Sequence, residues 1–126
     1  MIQVASHLPL TVYNSLGPSH HTQYTPLPIS QLPANIIHVA PAQDHTLALT
    51  SRGEIFSWGL NRFSQLGYVV DAPIGAEPVQ ALPKKIIGPL KKEVVRGVVG
   101  CKTASACWTA EEVWTWGTNA GQLGEL

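Results

Sequence analysis

Asp44 and His45 are the residues best suited to chemistry, because they stand side by side like two members of a hydrolytic triad. Ser57 or Thr46 would then be the nucleophile of a Ser-His-Asp arrangement. A nucleophilic serine is usually held on a sharp turn by flanking glycines in a Gly-x-Ser-x-Gly sequence, and neither hydroxyl residue lies in one. We therefore predict that the chain has no catalytic residue and is not an enzyme.

Metal and phosphate binding have little support in the sequence. His20 and His21 are adjacent, but a metal site needs three or four converging ligands. Lys91 and Lys92 follow Gly88, yet the Gly-x-x-x-x-Gly-Lys-Ser/Thr spacing of a phosphate-binding loop is absent. We expect no metal and no cofactor.

A segment that occurs twice dominates the chain. In the first copy its motif residues are His45, Thr46, Gly53, Trp58, Gly59, Asn61, Gln65, Leu66 and Gly67. In the second copy they are Trp116, Gly117, Asn119, Gln122, Leu123 and Gly124, with Ala104 in place of the histidine. The Trp-Gly-x-Asn signatures begin at residues 58 and 116, and a fixed period of about this size indicates a repeat architecture.

Short apolar runs in each copy predict strands that position these motifs. A β-hairpin is predicted from two five-residue runs and a short turn. The predicted hairpin strands are 46–50, 54–58, 105–109 and 112–116. Runs at 36–40 and 94–99 add an earlier strand, and Pro-x-x-Ile at Pro26 and at Pro83 adds an extended segment. Four or so strands per unit is the size of one propeller blade.

The motif residues are interpreted as structural. Gly59 and Gly117 are predicted to close a strand at a positive φ. Asn61 and Asn119 are suited to hydrogen-bond the local backbone. The leucines of the two Gln-Leu-Gly motifs would fill an apolar layer between units. Alternation along the second run places Ile55 and Ser57 on one face of the strand, with Phe56 and Trp58 on the other.

Together these motifs resemble the repeat of the regulator of chromosome condensation family, which folds as a β-propeller, typically with seven blades. The resemblance implies an all-β fold in which this chain forms about two four-stranded blades of such a ring. It divides the chain into an uncharged, Pro-rich leader at 1–25, a first repeat at 26–67 and a second repeat at 68–124. Within the leader, Asn-Ser-Leu-Gly at 14–17 is interpreted as the remnant of an earlier repeat.

Smaller departures from the usual repeat of the family indicate which of its members this chain resembles most. Phe63 and Ser64 precede Gln65 where the family more usually has a glycine, and the turn of the second hairpin is short. These features resemble the repeats of the inhibitor of Bruton tyrosine kinase and its fungal relatives, adaptors that join ankyrin repeats, a propeller and BTB domains. The BTB parts of such proteins recruit a cullin ubiquitin ligase. Neither ankyrin repeats nor a BTB domain is visible here, so the resemblance implies a protein-interaction module without that activity.

Two other functions stay open. One is a guanine-nucleotide exchange factor for a Ran-type GTPase with chromatin binding, as in the founding member of the family, which would need a complete ring. The other is a truncated product without independent function. Because two units cannot close a ring, we expect a fragment whose open blade edges allow self-association.

Charge and hydropathy limit the possible partners. The net charge is zero and 13% of residues are charged, so nucleic acid and membranes are not expected partners. Basic residues nevertheless concentrate between residues 84 and 96. We predict that the loops at 68–83 and 84–92 contact a protein partner, and the alternative is a solvated loop between blades. The candidate contact residues are Lys84, Lys85, Lys91 and Lys92.

The sequence has no signal-peptide pattern and no apolar run of membrane-spanning length, which predicts a cytoplasmic or nuclear protein. Cys101 and Cys107 are too few for a disulfide scaffold, and Cys107 is predicted to lie in the core. Trp108, Trp114 and Trp116 are interpreted as core between blades rather than as exposed interface anchors.

Overall fold

A computed structural model describes residues 25–118, which form two antiparallel sheets, so the predicted all-β class is confirmed. The first sheet has the order β1-β2-β3-β4 and the second has the order β5-β6-β7. The strands of the first sheet are β1 (Ile36–Pro41), β2 (His45–Thr50), β3 (Ile55–Leu60) and β4 (Val79–Lys85). Those of the second are β5 (Gly97–Gly100), β6 (Ala104–Trp108) and β7 (Val113–Gly117), preceded by a 3-10 helix at Gly88–Lys92.

The two hairpins of the repeat have the same register. In β2 and β3, Thr46 lies opposite Trp58. In β6 and β7, Ser105 lies opposite Trp116. The two copies can therefore be compared residue by residue, with Ser105 at the position of Thr46 and Trp116 at the position of Trp58.

The Trp-Gly step bends its strand. Gly59 has a φ of 114° and Gly117 a φ of 116°, values that side chains other than glycine rarely adopt. Gly117 is the last residue of β7, whereas Gly59 lies inside β3 rather than closing it. The strand continues because Leu60 pairs with Val79 beyond a register shift that separates Ser57 from Gly59.

Strand β4 corrects the loops predicted at 68–83 and 84–92. Residues Val79–Lys85 form a strand in which Lys84 lies opposite Ser57 and Lys85 opposite Phe56. The long connection is therefore confined to residues 61–78, and the next one contains the 3-10 helix. Strand β4 comes after residue 67, where the first sequence repeat ends, but it pairs with the first sheet. The boundaries of the sheets therefore do not coincide with the boundaries of the sequence repeats.

Strand β5 is shorter than the apolar run that predicted it. The run begins at residue 94, but the strand begins at Gly97. Val95 is buried, and its backbone N–H donates to the Gly53 carbonyl in the turn of the first hairpin at 3.1 Å. Val95 is thus bound to the first sheet, whereas the next residue, Arg96, donates its N–H to the Trp108 carbonyl of β6 at 2.7 Å.

Alternation along the strands builds two apolar clusters on opposite faces of the first sheet. The cluster between the sheets consists of Ala40, Leu47, Leu49, Ile55, Ile86, Val95, Val98 and Cys107, with Tyr68, Leu90, Trp114 and Trp116 packed against it. The cluster on the other face consists of Ile36, Ala48 and Trp58, with Ile29, Leu32, Val39 and Phe56 packed against it. Burying one leucine of this kind stabilises the fold by about 1.5–3 kcal/mol.

The tryptophans of the second hairpin divide between two environments. Trp114 and Trp116 pack between the sheets, as predicted. Trp108 is 42% exposed, so its assignment to the core is wrong. Its ring instead covers the backbone of Gly97, its cross-strand partner, where a Cβ would lie only 2.0 Å from the indole. Across residues 25–118, no helix is long and apolar enough to span a membrane.

Candidate functional site

The residue most suited to chemistry, His45, lies in a polar junction between the two sheets. It is fully buried, and its Nε2 atom is 2.8 Å from the Ser105 hydroxyl oxygen. The Ser105 hydroxyl in turn donates to the backbone carbonyl of Gln65 at 2.8 Å. A hydroxyl carries one proton, so the Ser105 oxygen accepts from the imidazole, and His45 is the tautomer protonated at Nε2.

This arrangement does not form a nucleophile and a base. Burial lowers the pKa of His45 to about 4 against an opposing effect of the Asp44 charge, so the ring is neutral at neutral pH. Its Nε2 atom already carries a proton and cannot accept the one on Ser105. Its other nitrogen, Nδ1, has no hydrogen-bond partner within residues 25–118. The histidine therefore acts as a buried donor that fixes one sheet against the other.

The hydroxyls predicted as alternative nucleophiles are also buried. Ser57 donates to the Leu66 carbonyl at 2.7 Å and holds the Gln-Leu-Gly turn against β3. Thr46 is buried on the opposite face of the same sheet. Among the described residues, no group of three or more His, Cys, Asp or Glu side chains could hold a metal ion. His20 and His21 lie outside the described residues.

The Gln65 carbonyl accepts two hydrogen bonds from the second hairpin. Besides the Ser105 hydroxyl, the Trp116 indole N–H donates to it at 2.9 Å. Gly67 beside it has a φ of 84°, which favours glycine, and a Cβ there would lie in tight contact, 3.1 Å from the Trp116 nitrogen and 3.2 Å from the Ile86 side chain. The Gln-Leu-Gly turn of the first copy is thus the element that the second copy binds.

Asn61 organises the same turn from within the first copy. Its side-chain oxygen accepts from the Leu66 N–H at 2.9 Å, and its amide donates to the Tyr68 carbonyl at 2.8 Å. The Tyr68 hydroxyl donates to the Ser57 carbonyl at 2.7 Å, and burial raises the pKa of Tyr68 to about 12. The segment from 61 to 68 is therefore bonded both to itself and to β3.

The remaining motif residues within residues 25–118 lie in the core or in turns. Trp58 and Leu66 are buried, and Gly53 lies in the turn between β2 and β3. The motif residues that lie outside the described residues are Asn119, Gln122, Leu123 and Gly124. The two cysteines are free: Cys101 is exposed, while Cys107 is buried as predicted.

The four lysines predicted to contact a partner have different surroundings. Lys85 forms an ion pair with Glu54 and lowers the pKa of that carboxyl. Lys84 places its ammonium group 4.9 Å from the centre of the Tyr68 ring, within the range of a cation–π contact. Lys91 and Lys92 are exposed in the 3-10 helix. Partner contact by these residues stays a prediction.

Ser105 is a site residue that the motif comparison did not predict, although the sequence contains a signal for it. Both copies have a hydroxyl residue at this position, Thr46 in the first and Ser105 in the second. The motif comparison also did not predict the exposed apolar side chains of Val69 and Ile74 on the connection between β3 and β4. No periodic pattern marks those two residues, because they lie outside any strand.

Two sheets that each carry a copy of the same hairpin and pack against each other resemble two neighbouring blades of a β-propeller. Residues 43–65 match the regulator of chromosome condensation (RCC1) repeat. The chain carries a repeat of that family, which confirms the resemblance inferred from the motifs. The structure of yeast RCC1 (Prp20) bound to Kap60 matches with a TM-score of 0.68 and 17% identity, covering 97% of this chain and 27% of that one. This likeness shows the propeller fold.

Two relatives are more similar in sequence. BTB/POZ domain-containing protein 1 of Schizosaccharomyces pombe is 34% identical over 86% of this chain. The mouse inhibitor of Bruton tyrosine kinase is 38% identical over 73% of this chain. The chain spans only 8% and 6% of the lengths of these two proteins.

Proposed function

We propose that this chain is part of a non-enzymatic protein-interaction module within an adaptor or scaffold protein. The observation that carries the proposal is the polar junction. The side chains most able to do chemistry, His45 and Ser105, are buried and bonded to each other between the sheets. They stabilise a rigid support, and function on such a support belongs to its exposed loops.

The proposed contact surface is the connection between β3 and β4, residues 61–78. At its base the Asn61 N–H donates to the Pro78 carbonyl at 2.8 Å, and Arg62 forms an ion pair with Glu77. Beyond this base, Val69 is 83% exposed and Ile74 is fully exposed. Exposed apolar side chains on a loop with a fixed base are suited to anchor a protein partner, since the loop loses little entropy on binding.

The named relatives favour the adaptor form of this proposal. One is a BTB/POZ domain-containing protein, and another is an inhibitor of Bruton tyrosine kinase. Yeast RCC1, which shares the fold, was solved with the protein partner Kap60. We place this chain in the cytoplasm or nucleus, in a protein of the BTB adaptor type. Sequencing the transcript on both sides of this reading frame tests that assignment: in-frame BTB-coding sequence supports it, and other domains there contradict it.

An affinity experiment tests the contact surface. The chain is used as bait in three forms: unchanged, with Val69→Asp and Ile74→Asp together, and with Val113→Asp as the control. Val113 is also exposed but lies at the start of β7. We expect proteins that bind the unchanged chain and the control variant but not the loop variant. Recovery of the same proteins by all three baits would contradict the proposed surface.

A nucleotide-release assay distinguishes the adaptor from an exchange factor. Purified chain is added to a Ran-type GTPase loaded with labelled guanine nucleotide. We expect the release rate to equal that of the GTPase alone, because an exchange surface would need a complete ring and the described residues form only two sheets. Faster release that depends on chain concentration would contradict the non-enzymatic assignment.

A further inference from the structure

A strained residue lies near the base of the connection between β3 and β4. Ser64 has a φ of 61°, and among residues 25–118 it is the only residue other than glycine with a positive φ. Serine adopts this left-handed backbone at a cost in free energy that glycine avoids. In the second copy of the repeat the residue before Gln-Leu-Gly is Gly121, so the motif also accepts glycine at this position. Strain of this kind is concentrated at functional sites.

The turns on either side of Ser64 hold its backbone in this conformation. The Ser64 N–H donates to the Asn61 carbonyl at 3.1 Å, and the Gly67 N–H donates to the Ser64 carbonyl at 3.4 Å. The side chain is exposed, and its hydroxyl makes no hydrogen bond to any residue that the structure describes. The hydroxyl therefore does not stabilise the fold within residues 25–118, although the serine that carries it is strained.

The Ser64 side chain lines an open cavity of about 480 Å³ between the β3–β4 connection and the Trp-Gly step of β7. The apolar walls of this cavity are formed by Val69, Val70, Pro78 and Trp116. Within the described part of the chain, no charged side chain lines it. A volume of this size and an apolar lining with few polar groups are typical of ligand pockets.

The other polar side chains of the cavity already have partners. The Asn61 amide and the Tyr68 hydroxyl both donate to backbone carbonyls of the first copy. The Trp116 indole N–H donates to the Gln65 carbonyl. Among the lining side chains, Ser64 thus offers the one hydroxyl that has no protein partner within residues 25–118.

We propose that this cavity binds an uncharged, aliphatic residue of a protein partner, and that the Ser64 hydroxyl hydrogen-bonds to the backbone amide of that residue. A hydroxyl can donate to the carbonyl of such an amide or accept from its N–H. A charged side chain is disfavoured, because it would lose hydration among apolar walls that carry no opposite charge. The inference rests on the proposed function and names the chemistry of the partner at one part of the proposed contact surface.

Val69 and Ile74 separate the cavity from the rest of that contact surface. Both side chains are exposed on the same connection, but Val69 lines the cavity and Ile74 does not. An aspartate at residue 69 would place a charge in the cavity wall, whereas an aspartate at residue 74 would leave the wall unchanged. Val69→Asp and Ile74→Asp are therefore a matched pair of variants for the cavity.

Binding of a small uncharged amide tests the proposal without a known partner. N-acetyl-leucine N-methylamide is titrated into the full chain, and the indole resonances of Trp116 and Trp58 are followed by NMR. The two resonances are assigned with Trp116→Phe and Trp58→Phe. Trp58 is the internal control, because it packs in the cluster on the other face of the first sheet. N-acetyl-glutamate N-methylamide is the charged control compound.

We expect the leucine amide to shift the Trp116 resonance saturably and to leave Trp58 unchanged. Ser64→Ala should weaken this binding about fivefold, because one hydrogen bond is lost. Val69→Asp should abolish binding, Ile74→Asp should preserve it, and the glutamate amide should bind more weakly than the leucine amide. An unshifted Trp116 resonance, equal binding by Ser64→Ala, equal effects of the two aspartates, or equal binding of the glutamate amide would each overturn the proposal.

The cost of keeping a serine at residue 64 is measured by urea unfolding. Ser64→Gly should raise the urea midpoint by about 0.5 M, because glycine accepts the positive φ, and Ser64→Ala should not raise it. An unchanged midpoint in Ser64→Gly would overturn the proposal, since the serine would then carry no cost for a ligand to explain.

The affinity experiment with the loop variant separates this inference from the proposed function. If the leucine amide does not bind but the Val69→Asp and Ile74→Asp bait still loses its proteins, the cavity proposal fails and the contact surface stands. If the leucine amide binds but all three baits recover the same proteins, the contact surface is wrong. That result would also overturn a protein partner as the occupant of the cavity.

Discussion

The burial of His45 makes an acid-dependent loss of stability the most direct test of the polar junction. Burial lowers the pKa of His45 from 6.5 to about 4 in the folded chain. Between these values the unfolded chain binds a proton that the folded chain does not. The free energy of unfolding therefore rises with pH across this window: the stabilisation is fully present above pH 6.5 and is lost as the pH falls towards 4.

The expected size of the effect follows from the two values. One unit of pKa difference corresponds to about 1.4 kcal/mol, so the shift from 6.5 to about 4 contributes ~3 kcal/mol when it is lost completely. The pKa of Glu54 is lowered by Lys85, and its contribution is lost only as the pH falls below its ordinary value of 4.5. The range between 6.5 and 4.5 thus reports mainly on His45, where about 2 kcal/mol should disappear.

Urea unfolding followed by tryptophan fluorescence at several pH values in this range measures the slope. His45→Gln should remove most of the pH dependence, because glutamine does not titrate. His38→Gln is the matched control, since His38 is exposed, and it should keep the dependence. A free energy of unfolding that is flat from pH 6.5 to 4.5, or an unchanged slope in His45→Gln, would show that His45 does not cause the pH dependence.

Three further predictions concern single contacts. Ser105→Ala removes the acceptor of the buried His45 N–H and should lower the free energy of unfolding in urea by about 1–3 kcal/mol. The control Ser30→Ala, at an exposed position, should change it by less than about 0.5 kcal/mol. Equal effects of the two substitutions would contradict the polar junction. Tyr68→Phe removes the hydroxyl that bonds to β3 and should cost about 1 kcal/mol in the same assay; a neutral result would show that water replaces the bond. Burial, followed by the charge of Glu93, raises the pKa of Cys107 to about 11, whereas Cys101 is exposed. A thiol reagent should therefore label one cysteine in the folded chain and two after denaturation. Rapid labelling of both cysteines in the native chain would contradict the burial of Cys107.

The hairpins and the family could be predicted because they depend on neighbouring residues. The alternation around Phe56 and Trp58, and the Trp-Gly step that follows, describe a local backbone path. The two register-matched hairpins bear this out. The loop prediction failed at β4, because the lysines and proline of residues 79–85 do not read as a strand. That segment is a strand because β3 offers it an edge, and a neighbouring strand is not visible in a local pattern.

For the polar junction, too, part of the arrangement could be predicted from the sequence and part could not. The motif positions of His45 and Gln65 were apparent from the repeat, but their connection to Ser105 was not. It joins residues far apart in the chain, and only the packing of one sheet on the other brings them within hydrogen-bond distance.

The repeat, the hairpins, the family and the positions at which only glycine permits the backbone path follow from the amino-acid sequence, because these depend on side-chain type and short-range sterics. Tertiary structure alone decided that β4 pairs with the first sheet, that Trp108 covers Gly97 at the surface, and that the Gln65 carbonyl is bound by the second hairpin. Those outcomes depend on which surfaces, distant from one another in the sequence, pack together. Burial and hydrogen bonding across such a contact are properties of the folded chain as a whole.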